Sequence, residues 1–198
     1  MKTYVLNELK QLTIITGDNF SGKTDLLNEI SKETCEYSKF INFDTEVEIE
    51  VTEELKRWFK FIFGVDFTQS SKISYALKII LAGLNCKEGE LLIVENPETG
   101  LHPKAISKIA KFLGFLVSKK GVRVVVETNS TNIVNSICYE VFIRNLLAKD
   151  IVFLNKTENG IEKTFVNTNG KFVNDKNQLV RYPSGFFDAN TDEVSALI

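Results

Sequence analysis

The sequence predicts an α/β fold: a mainly parallel central sheet with flanking helices and some antiparallel strand at one end. Three observations carry that expectation. Short apolar runs alternate with helix-length segments, as strands joined by crossover helices require. Leu91-Leu92-Ile93-Val94 and Val122-Arg123-Val124-Val125-Val126 have the near-continuous apolar character of strands buried on both faces. Gly17-Asp18-Asn19-Phe20-Ser21-Gly22-Lys23-Thr24 stands between the apolar Leu12-Thr13-Ile14-Ile15 and the helix-like Asp25-Leu26-Leu27-Asn28-Glu29-Ile30, so a strand turns through a glycine loop into a helix.

Element by element, the chain reads as a strand at about Tyr4–Leu6, a strand at Leu12–Thr16, the glycine loop, and a helix from Gly22 to Lys32. Phe40–Val51 reads as β-rich, because Glu46-Val47-Glu48-Ile49-Glu50-Val51 alternates with period two. Thr52-Glu53-Glu54 supplies a cap and an acidic first turn for the next helix. There Leu55, Trp58, Phe59 and Ile62 share one stripe. A helix is expected at about Lys72–Leu84, then the strand at Leu91–Val94, a helix over Pro103–Lys119, the strand at Val122–Val126 and a helix over Asn132–Leu147. Ile151–Asn155 and Ile161–Asn167 flank Glu158-Asn159-Gly160, a hairpin signal.

At 198 residues the chain fits one domain, spanning residues 1–198, with a core that needs no staples. Its 43% hydrophobic and 25% charged residues are those of an ordinary globular protein. The net charge of −2 and pI near 5.6 supply no global attraction to nucleic acid or anionic membrane. No apolar run approaches the roughly 20 residues of a membrane span, and the first residues lack a signal peptide's apolar stretch. Cys35, Cys86 and Cys138 are scattered and lack metal-ligand spacing, so they read as reduced thiols of a cytoplasmic protein.

The loop fits G-x-x-x-x-G-K-[ST]. A strand–loop–helix of this kind aims backbone N–H groups and the positive end of a helix dipole at one point, which suits a polyphosphate. Asp18, Asn19, Phe20, Ser21 and Gly22 would line that point. Lys23 would reach the β/γ-phosphates of ATP, and the Thr24 hydroxyl would hold Mg²⁺. Glu95, ending the apolar run Leu91–Val94, is the carboxylate such a site needs for Mg²⁺.

With these residues stated, the chain resembles the ABC-like AAA ATPases, the class of the overcoming-lysogenization-defect and SMC-type proteins. The loop matches their G-x-N-x-S-G-K-[ST]. Glu95-Asn96-Pro97-Glu98-Thr99-Gly100-Leu101-His102-Pro103 is similar to the E-N-P-E-x-x-L-H-P of one branch, catalogued mostly as uncharacterised or predicted ATPases. Val124-Val125-Val126-Glu127-Thr128-Asn129-Ser130 resembles that branch's strand and E-T-H-S switch, and Tyr182-Pro183-Ser184-Gly185-Phe186-Phe187-Asp188 its closing W-P-x-G-F-F-D. The resemblance implies an ABC-like P-loop NTPase head with ATP and Mg²⁺ as ligands. Two protomers would form a homodimer or higher oligomer with ATP at the subunit interfaces.

The departures bear on catalysis. Asn129 stands where the switch histidine would contact the γ-phosphate, and Asn96 where the wider ABC group has its water-polarising glutamate. An amide can orient water but cannot take its proton, so Glu98 is the substitute carboxylate to consider. The trans-acting signature becomes Ser70-Ser71-Lys72-Ile73-Ser74. By the resemblance, Ser74 would contact an opposite ATP and Lys72 would add charge toward its γ-phosphate, while the lost glycines bear against close backbone approach. His102 is either a helix-entry residue or part of a dimer-facing loop. Only 50 residues separate Lys23 from Ser74, leaving no room for a coiled coil.

Three functions remain open: a slowly hydrolysing ATPase that controls a separate effector (a nuclease is one candidate), a nucleotide-binding regulatory module without useful turnover, and a DNA-end ATPase of SMC type. Defence against phage enters only by analogy between families. The aromatic helix around Trp58 reads as core packing or as a docking surface for a partner, and nucleic-acid stacking there is not indicated. Tyr4 reads as a packing residue, with adenine stacking as the alternative.

Overall fold

Residues 6–68 and 74–182 are described by the computed structural model. Along them run β1 (Leu12–Gly17), α1 (Lys23–Glu33), β2 (Ser38–Ile41), α2 (Glu53–Phe63) and α3 (Tyr75–Leu84). Then follow β3 (Leu91–Glu95), α4 (Pro103–Lys120), β4 (Arg123–Glu127), α5 (Thr131–Phe142), a 3₁₀ turn (Ala148–Asp150), β5 (Ile151–Thr157), β6 (Gly160–Val166) and β7 (Phe172–Val173). The strands form one sheet in the order β2-β3-β4-β1-β5-β6-β7. The first five are parallel, and β6 and β7 add to the far edge antiparallel, as the hairpin signal predicts.

Alternation along the strands sorts the core into two faces. Leu92, Val94, Val124, Val126, Ile151 and Phe153 face the larger core, shared with α2, α3, α4 and α5. Leu91, Ile93, Val125, Val152 and Leu154 face the other side, where α1 packs through Leu26, Leu27 and Ile30. This is the two-sided burial that the continuous apolar runs require.

The helix around Trp58 is α2. Thr52 caps it by accepting a hydrogen bond from Leu55 N, and Gly64 closes it with φ 77°. Leu55, Phe59 and Ile62 are buried, and Trp58 lies edge-on to Phe112 with ring centroids 4.9 Å apart. Phe61, on the outer side, is exposed. The packing role expected of the stripe is therefore present.

Three expectations need correction, and a fourth falls partly outside the described residues. Leu6 lies in a helical stretch and not in a strand, and Tyr4 is outside the described residues. Residues 46–51 form no strand, because β2 is the sheet edge and nothing pairs with them; Val47 still packs on the core while Ile49 and Val51 are exposed. The helix placed at Lys72–Leu84 is described only from its cap at Ser74, since Lys72 and Ile73 are outside the described residues. The helix placed at Asn132–Leu147 stops at Phe142. Arg144 takes φ 65°, and the amides of Asn145 and Leu146 turn back onto the Glu140 carbonyl.

Cys86 and Cys138 are buried and Cys35 is exposed, all as free thiols; burial pushes the Cys138 thiol up to about 12. None of the helices among the described residues is long and apolar enough to cross a membrane.

Phe112 is fully buried in the larger core, beneath Trp58. Truncation there removes a ring that both α2 and α4 pack around, so Phe112→Ala is expected to cost about 3–5 kcal/mol in urea unfolding. A loss under roughly 1 kcal/mol would contradict this packing.

Candidate nucleotide site

The loop between β1 and α1 depends on two glycines. Gly17 has φ 142°, and a Cβ there would fall 2.1 Å from the Lys156 carbonyl oxygen on β5, so no side chain fits. Gly22 caps α1 with φ 86°, turning the chain so that the first turn of the helix faces the loop. Phe20 also lies in the left-handed region, at φ 66°, with its ring fully exposed at the loop's tip. Asp18 and Asn19 are exposed beside it.

Lys23 is buried under the loop, its ammonium donating to the carbonyls of Gly17 at 2.8 Å and Asp18 at 2.7 Å. Burial lowers its pKa, and the charges of Glu127 and Asp18 partly restore it. Ser21 Oγ is buried without a hydrogen-bond partner among the described residues. A buried hydroxyl left unsatisfied costs about 1–3 kcal/mol, which fits a loop shaped for a ligand that supplies the missing bond.

The strand order brings the remaining groups to the loop, because β4 lies between β1 and β3 and all three end at one edge. Thr24 Oγ1 stands 3.3 Å from Glu95 Oε1, across 71 residues of sequence. It stands equally close, 3.3 Å, to Glu127 Oε2. A hydroxyl and carboxylates are hard oxygen donors of the type that Mg²⁺ takes together with phosphate and water. No cluster of three or more His, Cys, Asp or Glu that could hold a metal ion occurs among the described residues.

Beyond Glu95 the chain makes a tight turn. Asn96 adopts φ 44° and donates its backbone N–H to the Glu127 carbonyl at 2.9 Å. Glu98, considered above as the substitute base, has both oxygens engaged: Oε2 accepts from Thr128 Oγ1 at 2.8 Å and Oε1 from Asn129 N at 2.9 Å. In this arrangement it braces the switch segment, and the Asn129 side chain stays exposed.

Ser74 caps α3, its hydroxyl accepting from Leu77 N at 3.3 Å. The next residue, Tyr75, puts its hydroxyl against the carbonyls of Ile41 and Glu95. Burial and the Glu95 charge hold that phenol protonated, with its pKa well above the usual value. His102 caps α4 by accepting from Lys104 N, the helix-entry role. Lys72 and residues 183–188 of the closing motif lie outside the described residues. Tyr182 packs on Phe153 and Phe172, with its hydroxyl 2.8 Å from Thr16 Oγ1, behind the loop.

Thus Lys23, Thr24 and Glu95 converge, with Asn96, Glu98 and Asn129 adjoining. Sequence reasoning gave Glu127 and Tyr75 no role. Glu127 carried a usable signal, since Val124-Val125-Val126-Glu127 repeats the apolar-run-then-acid pattern of Leu91–Glu95.

Comparison with known proteins gives partial likenesses. Residues 79–135 match a family model described as "AAA domain, putative AbiEii toxin, Type IV TA system". That segment is less than a third of the chain, yet it holds Glu95, Asn96, Glu98, Glu127 and Asn129. Energy-coupling factor transporter ATP-binding proteins EcfA2 and EcfA3 of Clostridium perfringens are each 30% identical over 66 residues; the match covers 33% of this chain and only 23% of each relative's length. Among solved structures, the dimeric ABC transporter cassette MJ0796 has a TM-score of 0.43 at 16% identity, covering 77% of this chain and 84% of the cassette. The ADP form of the cassette MJ1267 has a TM-score of 0.48 at 13% identity, covering 79% and 81%. The chain's own strand order, glycine loop and carboxylate-ended strands make a mixed α/β P-loop NTPase fold.

The brace formed by Glu98 gives a direct test. Hydrogen bonds to a charged group are worth about 1.5–3 kcal/mol, so Glu98→Gln is expected to speed amide exchange at Asn129 by roughly tenfold or more. Unchanged exchange at Asn129 would remove Glu98 from this role.

Proposed function

We propose that this protein is an ATP-binding, slowly hydrolysing ABC-like ATPase that works as an ATP-dependent homodimer or higher oligomer and controls a separate effector. The observation that carries the reading is the meeting of Thr24 with Glu95, which joins the glycine loop and the carboxylate strand into one site. Mg²⁺, when bound, would supply charge neutralisation at the phosphates; Thr24 and Glu95 are its candidate holders. Lys23 would exchange its two carbonyl partners for phosphate oxygens. Asp18, Asn19, Phe20, Ser21 and Gly22 would wrap the phosphates, with Ser21 Oγ gaining the partner it lacks.

Slow turnover follows from the residues flanking the phosphates. Asn96 and Asn129 orient water or phosphate but take no proton. Glu98 is engaged with the switch, so it acts by holding Asn129 in place. A regulatory module that binds nucleotide without useful turnover is the second reading, and the amide at Asn96 is the observation that favours it.

Assembly in trans is supported by Phe20, whose fully exposed ring at the mouth of the loop suits a covered surface better than an open one. Ser74, which caps the N-terminus of α3, is the residue offered for the contact with an opposite phosphate. The relatives' printed names place them in transport, or in a type IV toxin–antitoxin system. The effector (a nuclease is one candidate), a cytoplasmic location and a part in anti-phage defence belong to this proposal by analogy alone.

Lys23→Ala is expected to weaken ATP binding by roughly tenfold or more, because it removes a charge-assisted contact worth about 1.5–3 kcal/mol. Equal affinity of the two proteins in calorimetric titration would defeat the phosphate-loop assignment. Wild type with saturating ATP is expected to gain mass in light scattering, and Ser74→Arg to stay monomeric. Because Ser74 is also a cap worth about 1 kcal/mol, the variant's melting without ATP must be compared first. A folded Ser74→Arg that dimerises like the wild type would exclude the trans contact.

A further inference from the structure

We infer that Glu127, at the end of β4, is a second carboxylate of the magnesium site, paired with Glu95 and dependent on the cation to be accommodated there. The inference deepens the reading of the site as one for ATP and Mg²⁺ and rests on it.

The sheet sets the geometry. Glu127 is in register with Glu95 on β3 and with Ile15 on β1, so it stands level with both the carboxylate strand and the strand that leads into the loop. Its side chain is 3% exposed, whereas Glu95 is only partly buried. Among the described residues its one side-chain hydrogen bond is to Thr24 Oγ1 at 3.3 Å. That hydroxyl is the same distance from Glu95 Oε1. A hydroxyl carries a single proton and can donate to only one of them at a time. The other carboxylate then faces lone pairs, in a site where burial and the neighbouring Glu95 charge already disfavour an anion.

Nothing within the described residues resolves this. Lys23 is a cation whose charge acts on Glu127, yet its ammonium is bonded to the carbonyls of Gly17 and Asp18 and makes no ion pair with the carboxylate. Glu98 is not an equivalent candidate, because Thr128 and Asn129 satisfy both its oxygens. A divalent cation held by Thr24 would relieve the conflict: the hydroxyl would offer it a lone pair while donating its hydrogen bond to one glutamate, and the cation's charge would offset that of the other. One hydroxyl with two carboxylates is a hard-oxygen set that leaves room for phosphate and water. An independent sign that the same pocket is built around a ligand is Ser21 Oγ, buried in the adjoining loop without a partner.

The test compares wild type with Glu127→Gln as the full chain. ATP affinity is measured by calorimetry in Mg²⁺ and in EDTA, and melting is followed in EDTA without nucleotide. For wild type, Mg²⁺ is expected to tighten ATP binding by about tenfold or more; in Glu127→Gln that gain falls to about threefold or less, with binding in EDTA no weaker than wild type. In EDTA the variant is expected to melt above wild type, since it loses one of two crowded carboxylates. A variant that keeps the full Mg²⁺ gain, or that melts lower or fails to fold, overturns the inference. Wild type that binds ATP equally well with and without Mg²⁺ also overturns it while leaving the ATP reading in place. Wild type that binds ATP in neither buffer brings down the site assignment itself.

Discussion

Because side chains alternate along a strand, a slip of one residue between β4 and either neighbour would turn Glu127 away from Thr24 and bring a valine into its place. The parallel register of β1, β4 and β3 is therefore the constraint on which the site depends. That register pairs Ile15 with Glu127 and Glu127 with Glu95. It is set by the apolar residues below the site: Leu92, Val94, Val124 and Val126 reach the larger core only in this phase, and Leu91, Ile93 and Val125 the smaller one. Core burial thus fixes where the carboxylates emerge, and the positions of the charges are a by-product of hydrophobic packing.

From that edge, three polar ties extend the order outward. The Asn96 amide is bound to the Glu127 carbonyl, so the end of β3 cannot move without the end of β4. Glu98 holds Thr128 and the Asn129 amide. Tyr75 joins the start of α3 to the last residue of β3 and to Ile41 on β2. A change in charge or ligation at Glu95 would be felt at the switch through Glu98 and at the Ser74 cap through Tyr75. These are physical connections between the candidate phosphate site and the start of α3, the surface proposed to meet a partner subunit. They are a route for coupling and not by themselves a measure of it.

Much of this order was legible in the sequence, for identifiable reasons. Strands buried on both faces announce themselves as unbroken apolar runs, and the strand–loop–helix context gave the glycine pattern meaning. The hairpin at Glu158–Asn159 was equally plain. What failed was local pattern without a partner. Residues 46–51 alternate as a strand does, but alternation specifies a face and not a neighbour to bond. The end of α5 was misplaced because it is set by Arg144 in a left-handed conformation, which no glycine announces. Glu98 was read as available by position alone, and only the fold reveals that its oxygens are occupied. The role of Glu127 depends on β4 lying between β1 and β3, a fact of topology that no single segment contains.

The pairing of Glu95 with Glu127 also bears on why amides occupy the neighbouring positions. Two carboxylates already meet at Thr24, and Glu98 adds a third within reach of their field; its charge raises the Glu127 pKa further. A fourth carboxylate at position 96 would enter the same partly buried corner, where each added anion is harder to keep ionised than the last. Asn96 avoids that repulsion and also tolerates the φ of 44° that the turn after β3 imposes. The amide is thus the residue that the electrostatics and the backbone favour together, and a general base at that position is what the site gives up. The proposed slow turnover would then follow from concentrating negative charge at this edge of the sheet, where Glu95, Glu98 and Glu127 already act on one another.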